Sequence, residues 1–145
     1  MSVYADTSFL YSLYVQQAHS ARASAYMAEG SILPLPLTTL GRFELFNAIR
    51  LSVFRRQLAP RAAIMDLRTI EGDIRAGVLE LIACDWPAVH ADAERLSSKH
   101  TTRKGHRSMD LLHVATAISL GTADFLTFDQ NQAKLAITEG LTVKP

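Results

Sequence analysis

Residues 108–120, SMDLLHVATAISL, predict a helix that is apolar on almost every side. Such a helix is normally buried in the core of a domain. This one also carries Asp110 in its first turn and His113 one turn later, on the same face. We predict Ser108 as the N-cap, which places the Asp110 carboxylate near the positive end of the helix dipole. Because burial of an unpaired ion is unfavourable, Asp110 has either a capping role or a functional one.

Helices and short apolar strands alternate along the 145 residues, which predicts parallel βαβ units. The expected architecture is α/β: one domain, residues 1–145, with a three-layer α/β/α sandwich around a central parallel sheet. Thr7 or Ser8 is expected to cap the first helix. The predicted strands are residues 2–6, 37–39, 78–84, 124–128 and 141–143. The predicted helices are residues 7–15, 19–29, 40–56, 60–76, 86–99, 108–120 and 130–139, and residues 100–107 are predicted as a polar loop.

The composition is that of a globular protein, because 48% of the residues are hydrophobic and 20% are charged. The sequence has no apolar run close to the roughly 18 residues that span a membrane. Its first residues, MSVYADTSF, lack the pattern of a secretory signal. We therefore expect a cytoplasmic protein with no membrane partner. Cys84 is the single cysteine, so neither an intrachain disulfide nor a zinc site of paired cysteines is expected.

The net charge of +1 gives no overall attraction to nucleic acid, but basic residues cluster in two segments. Each cluster either contacts phosphate or forms an ordinary solvated face. The first contains Arg50, Arg55, Arg56 and Arg61, and the second contains Arg103, Lys104 and Arg107.

Four carboxylates fall where a parallel sheet normally has its functional site, beyond the carboxyl ends of the strands. Asp6 ends the first strand, Asp129 ends the fourth, and Asp110 begins the helix before that strand. Glu44 lies in the first turns after the second strand. Neighbouring carboxylates raise one another's pKa unless a cation neutralises them. Oxygen ligands favour Mg²⁺ or Mn²⁺, and such an ion can activate water for attack on a phosphodiester.

Four segments resemble, in order and spacing, the signature of PIN-domain nucleases, in particular the VapC-type toxins of toxin–antitoxin pairs. They are residues 4–8 (YADTS), 44–47 (ELFN), 110–115 (DLLHVA) and 127–129 (TFD). Each motif alone has little specificity, but four in order, each at a predicted structural junction, are specific. The resemblance covers essentially the whole chain.

This resemblance implies a PIN-like, Rossmann-like fold with an acidic pocket at one edge of the sheet. The implied activity is endoribonuclease cleavage of RNA that depends on Mg²⁺ or Mn²⁺ and leaves 3′-hydroxyl and 5′-phosphate ends. The implied partners are a second copy of the chain, forming a homodimer, and a small antitoxin protein that inserts near the pocket.

The resemblance also assigns roles to individual residues. The catalytic carboxylates are Asp6, Glu44, Asp110 and Asp129, with Asp6, Asp110 and Asp129 as metal ligands. The polar residues expected around them are Ser8, Asn47, His113 and Thr127.

Other assignments stay open at this point. His113 fits either a catalytic histidine or a hydrogen-bonded structural histidine on a buried helix. His106 and Arg107 lie just before that helix, where they could contact the scissile phosphate. Asp124 competes with Asp129 for the last acidic position, but TFD at residues 127–129 matches the family better.

Other enzyme classes lack their motifs, since the sequence contains no GxGxxG, no P-loop and no GxSxG. Ser8 also stands where haloacid-dehalogenase-like enzymes would need a second aspartate. Two alternatives remain: a catalytically weak PIN-like module that binds RNA or protein, and a housekeeping RNA-processing nuclease without an antitoxin. Stabilisation by Mn²⁺ would argue against the first. A neighbouring gene for a short antitoxin would argue against the second.

Overall fold

In residues 3–30 and 32–145, which the computed structural model describes, five short strands alternate with helices. The strands are β1 (Val3–Ala5), β2 (Leu35–Leu37), β3 (Leu79–Leu81), β4 (Asp124–Leu126) and β5 (Thr142–Lys144). The helices are α1 (Thr7–Tyr14), α2 (Ser20–Glu29), α3 (Thr39–Phe54), α4 (Pro60–Ala76), α5 (Trp86–Leu96), α6 (Thr102–Lys104), α7 (Ser108–Ser119) and α8 (Gln130–Thr138). The predicted strand start at Ser2 lies outside the described residues.

A central parallel sheet is present, as predicted, with strand order β1-β4-β5. Tyr4 of β1 lies opposite Phe125 of β4, and Phe125 lies opposite Val143 of β5. The other two strands form a separate parallel pair, with Leu35 of β2 opposite Leu79 of β3. β2 packs next to β1, so the pair extends the same layer.

Pro36 lies inside β2 without interrupting its ladder with β3. We expected pairing at residues 37–39, beyond the prolines, but β2 spans Leu35–Leu37 and includes Pro36. The N–H of Leu35 donates to the carbonyl of Val78, and the carbonyl of Leu37 accepts from the N–H of Ile82. The backbone hydrogen-bonding groups of both leucines therefore face β3. Backbone groups alternate along a strand, so the nitrogen of Pro36, which lacks a hydrogen, is turned away from β3. The proline therefore removes no hydrogen bond from the β2–β3 ladder.

Helices cover both faces of the sheet, which confirms the expected sandwich. Val3 and Ala5 of β1 belong to the hydrophobic core shared with α1, α3 and α4. Tyr4 and Phe125 point the other way, into the core shared with α5, α7 and α8. The alternation follows from the period of two along a strand. α7 is buried as its apolar sequence predicts, and in the described residues no helix is long and apolar enough to cross a membrane.

The segment before α7 differs from its prediction. Residues 100–107 were expected to form a loop, but a π-helical turn, Ser97–Thr101, continues α5, and α6 follows it. The turn brings His100 into the interior, where its Nε2 lies 2.6 Å from Oε1 of Glu139. Gly105, with φ of 65°, ends the helical stretch. Arg107, rather than Ser108, is the N-cap of α7, and within the described residues its side chain makes no capping hydrogen bond.

Candidate active site

A cleft of about 820 Å³ lies beyond the carboxyl ends of β1 and β4. Three of the four predicted carboxylates, Glu44, Asp110 and Asp129, line it. Ser8, Asn47 and Arg107 also line it, so most of the residues predicted from the sequence share one cavity. Asp6, Thr127 and His113 lie beneath its wall, fully or almost fully buried.

Asp6 supports the cleft from below. It is the N-cap of α1, the role that we expected of Thr7 or Ser8, and its Oδ1 accepts from the backbone N–H of Phe9 at 2.9 Å. The Ser8 hydroxyl donates to the same oxygen at 2.7 Å, and the Thr127 hydroxyl donates to Oδ2 at 2.5 Å. Burial raises the pKa of Asp6, although these hydrogen bonds oppose the shift. In this structure both Asp6 oxygens are therefore occupied by protein donors.

The hydroxyls of Ser8 and Thr127 connect the ends of β1 and β4. The backbone N–H of Phe128 donates to the Ser8 oxygen at 2.9 Å, and that of Asp129 donates to the Thr127 oxygen at 2.9 Å. Asp129 in turn caps α8, because its Oδ1 accepts from the N–H of Gln132. This network fixes the position of the Asp129 carboxylate relative to Asp6.

His113 holds Glu44 in place. Its Nε2 lies 2.6 Å from Oε1 of Glu44, and its Nδ1 lies 2.7 Å from the hydroxyl of Tyr4. Burial raises the pKa of Tyr4, so the phenol stays protonated and can donate to Nδ1. The proton of a neutral imidazole is then on Nε2, which donates to Glu44. Both ring nitrogens are occupied, which favours the structural interpretation of His113.

The ionised form of Glu44 is stabilised in this position. Burial acts to raise the pKa of Glu44, but hydrogen bonds from His113 and from the Thr7 hydroxyl outweigh it and lower the pKa below its ordinary value. The positive charge of Arg107 acts in the same direction. Glu44 thus carries a negative charge into the cleft, with 25% of its side chain exposed.

Asp110 is held between a glutamine and an arginine. The Nε2 of Gln132 donates to its Oδ1 at 3.2 Å, and the Nε of Arg107 donates to its Oδ2 at 3.2 Å. The hydrogen bond with Asp110 raises the pKa of Arg107, and the nearby charges of Asp129 and Glu44 add to this. The Arg107 guanidinium therefore contacts Asp110 and also feels the negative charges of Asp129 and Glu44.

Two residues of the site were missed by sequence reasoning, Thr7 and Gln132. Thr7 contacts Glu44, which is 37 positions away, and Gln132 contacts Asp110, which is 22 positions away. Gln132 follows Asp129 by three positions, so it shares the first turn of α8, and this was the one local signal available.

Of the remaining predicted residues, two line the cleft and two lie outside it. Asn47 lines the cleft, and Arg107 lines it with 80% of its side chain exposed. His106 is directed elsewhere, with its ring edge-on to that of His100 at 6.4 Å. Asp124, the rival of Asp129, pairs with Lys144 at 3.0 Å on another part of the surface.

The chemistry of the cleft fits a hydrated divalent cation. Its acidic ligands are oxygens only, which suit Mg²⁺ or Mn²⁺. Among the described residues, no three His, Cys, Asp or Glu side chains are grouped closely enough to enclose an ion. Mg²⁺, however, usually keeps several waters and binds through one or two carboxylates. Oε1 of Gln132 is buried without a partner among the described residues, which leaves an acceptor for such a water.

Comparison with solved structures identifies the fold. No protein-family model matches the sequence, and a search of curated proteins finds no significant match. VapC20 of Mycobacterium tuberculosis, described as a Sarcin-Ricin loop cleaving toxin, aligns with a TM-score of 0.69 and 20% identity over 99% of this chain and 100% of its own. VapBC-1 of nontypeable Haemophilus influenzae aligns with a TM-score of 0.67 and 15% identity over 99% and 97%. FitAcB of Neisseria gonorrhoeae aligns with 0.64 and 16% over 99% and 96%.

These neighbours are PIN-domain proteins of toxin–antitoxin systems. The chain thus has the PIN-like α/β/α fold, and the resemblance predicted from the four motifs is confirmed at the level of the fold.

Proposed function

We propose that this protein is a metal-dependent endoribonuclease that hydrolyses RNA phosphodiesters and acts as the toxin of a VapBC-type pair. One observation carries the proposal: Glu44, Asp110 and Asp129 line a single cleft at the carboxyl end of the sheet, where Arg107 also lies. The structural similarity to toxins supports the proposal. So does the position of the cleft, which is lined by residues from all four segments that resemble that family.

The chain's own residues would prepare this cleft for a phosphodiester. Asp110 and Asp129 would hold the cation, with Glu44 close by to orient the attacking water. A bound Mg²⁺ or Mn²⁺ would supply activated water and charge stabilisation at the leaving oxygen. Direct ligation by Asp6 also stays a prediction; it requires the carboxylate, which is fully buried here, to become accessible from the cleft.

Arg107 would neutralise the scissile phosphate. Its guanidinium is exposed, and its hydrogen bond to Asp110 can be exchanged for one to a phosphate oxygen once a cation neutralises the carboxylates. Arg55 lines the same cleft and offers a second positive charge. His106, which lies outside the cleft, is the weaker of the two phosphate-binding candidates.

The test is cleavage of a structured RNA by the purified protein with Mn²⁺ or Mg²⁺. We expect cuts with 5′-phosphate ends, which disappear with EDTA and in the Asp110→Asn and Glu44→Gln variants. Asp124→Asn is the matched control, because this aspartate pairs with Lys144 outside the cleft. Equal cleavage by wild type and Asp110→Asn would refute the site.

An antitoxin is the proposed protein partner. FitAcB and VapBC-1 carry the names of toxin–antitoxin pairs, and here the apolar side chains of Leu51 and Phe54 are exposed near the end of α3. Leu51 lines the cleft, so a partner that covers it would also block access to the carboxylates. The product of a short neighbouring gene should bind this protein and stop RNA cleavage. A nuclease without such a neighbour would instead be a housekeeping enzyme.

A homodimer is also proposed. A second, smaller depression of about 300 Å³ is lined by apolar side chains from α3, α5 and α7, among them Leu40, Phe43, Trp86 and Leu112. Phe43 is 70% exposed, which suits a surface covered by a second copy. Light scattering should give a mass near 32 kDa, twice the 16.0 kDa of the chain. Phe43→Glu should convert the dimer to a monomer.

A further inference from the structure

An aromatic stack borders the acidic cleft. The imidazole of His19 lies parallel to the ring of Phe128, with 4.4 Å between the ring centroids and an angle of 7° between the planes. Phe128 also stacks with Phe9, at 5.7 Å and 15°, and Phe9 is fully buried. The stack therefore extends from the hydrophobic core to the surface, and His19 is its exposed end.

The stack is fixed to the acidic wall. Phe128 lies between Thr127 and Asp129 in the chain, and its N–H donates to Ser8. His19 and Phe128 both line the cleft that holds Asp129. A planar group stacked on the imidazole would thus lie beside the carboxylates of the cleft, at a position fixed by the hydrogen bond from Phe128 to Ser8.

The His19 side chain has no evident structural task of its own. It occupies the N-cap of α2, yet within the described residues its ring makes no capping hydrogen bond; its backbone N–H donates to Gln17 and its carbonyl accepts from Ala23. One face of the ring rests on Phe128, and the opposite face is left without a stacking partner among the described aromatic residues. A flat ring already held in place loses little conformational freedom on binding a second flat ring.

We propose that the free face of His19 is a stacking platform for one unpaired RNA base next to the scissile phosphate. This inference rests on the proposed function and narrows its substrate to single-stranded or looped RNA. Bases in a duplex are stacked on their neighbours, so only a base turned out of the helix can offer its face to the imidazole.

The neighbouring groups suit the rest of a nucleotide. Gln16 is exposed in the same part of the cleft, and its amide can both donate to and accept from a base edge. The guanidinium carbon of Arg22 lies 5.9 Å from the Phe128 ring centroid, and the same side chain donates to the carbonyl of Pro145 at 2.9 Å, so a positive charge lies beside the stack. Stacking itself tolerates any base, because every base has an aromatic face.

The test measures RNA affinity and asks whether the effect of removing one base depends on the presence of an aromatic ring at His19. Fluorescent RNA hairpins, in which each loop nucleotide in turn is made abasic, are titrated in EDTA with wild type, His19→Ala and His19→Phe. At one loop position, base removal should weaken binding to wild type and to His19→Phe by roughly five- to a hundredfold. Binding to His19→Ala should be weaker by a similar factor already, and base removal should not change it further.

Met65→Ala is the control, because Met65 is also exposed, carries no charge and lines neither the cleft nor the smaller depression. It should behave as wild type. If no loop position shows the dependence on His19, or if wild type binds none of the hairpins, the platform is refuted.

Cleavage with Mn²⁺ is measured separately, so the two proposals can fail independently. A protein that shows the dependence on His19 and does not cut RNA would refute the nuclease and keep the platform. A protein that cuts RNA equally well with His19→Ala would refute the platform alone.

Discussion

Nε2 of His113 lies 2.6 Å from Oε1 of Glu44, across 69 positions of sequence. The histidine is 1% exposed, and its other nitrogen is occupied by Tyr4. The pair therefore joins α7, the most buried of the described helices, to a carboxylate in the surface cleft. This arrangement gives His113 a positioning role. Two substitutions can test its contact with Glu44 and its contact with Tyr4 separately.

The first prediction compares His113→Gln with His113→Asn. A glutamine amide can reach the position of Nε2 and donate to Glu44, whereas an asparagine can reach the position of Nδ1 and accept from Tyr4. His113→Gln should keep most RNA cleavage but lose about 1–3 kcal/mol of stability, because the buried Tyr4 hydroxyl loses its acceptor. His113→Asn should lose more cleavage and less stability. Thermal unfolding and single-turnover cleavage of both variants provide the measurement, and the opposite ranking would contradict a positioning role.

The second prediction concerns Asp6→Asn. Asparagine is as good an N-cap as aspartate, so the bond from Phe9 is kept, and the buried negative charge is removed. The amide nitrogen cannot accept from Thr127, but the Thr127 hydroxyl can donate to the Ser8 oxygen, 3.2 Å away. Since burial raises the pKa of Asp6, its ionised form is held at a cost, and the variant should be as stable as wild type or more stable when measured in EDTA. RNA cleavage should fall even so. A clear loss of stability would show that the charge of Asp6 supports the fold.

The third prediction concerns metal binding. A cation that binds only the folded state raises its stability by about 2.7 kcal/mol at a concentration one hundred times the Kd. Mn²⁺ should therefore raise the Tm of wild type and of Asp124→Asn, and raise that of Asp110→Asn much less. Equal shifts in all three proteins would place the ion outside the cleft. No shift in any of them would favour the binding-module alternative.

Local patterns predicted the fold well, and they failed where distant residues decide the structure. The apolar residues of α7 and the proline at the start of α4 marked those helices correctly. The polar segment at residues 100–107 looks like a loop, but His100 reaches Glu139, 39 positions later, and this contact favours continued helix. Pro36 was assumed to exclude pairing, because the sequence does not show which side of β2 has a neighbour.

The candidate site was predictable to a similar extent. Carboxylates at strand ends follow from topology, so Glu44, Asp110 and Asp129 could be placed near one another from the sequence. The residues that orient them could not, since Gln132 and Thr7 reach their partners through side-chain geometry alone.

The fourth prediction concerns pH and Glu139, whose side chain is 8% exposed and contacts His100, Lys99 and Arg95. Burial acts to raise the pKa of Glu139, but these hydrogen bonds lower it. A lowered folded-state pKa contributes stability above the unfolded value of about 4.3, and that contribution is lost as pH falls through the folded-state value. Glu139→Gln should therefore cost about 1 kcal/mol at pH 7, and the difference from wild type should close below about pH 4. The measurement is urea unfolding at pH 7 and below about pH 4. Glu94→Gln, on the exposed face of α5, is the control, and its difference in stability from wild type should be the same at both pH values.

The fifth prediction separates the two basic residues at the ends of the segment before α7. Arg107 lines the cleft, whereas Arg103 donates to the carbonyl of Lys99 on the exposed surface. If Arg107 binds a phosphate of single-stranded RNA, Arg107→Gln should reduce the slope of log affinity against log salt concentration by about 0.7. Arg103→Gln should leave the slope unchanged, and because both side chains are exposed, neither substitution should change stability by more than about 1 kcal/mol. Binding titrations at four salt concentrations suffice. Equal slopes for wild type and Arg107→Gln would remove this arginine from the RNA interface and leave Arg55 as the cleft residue to test next.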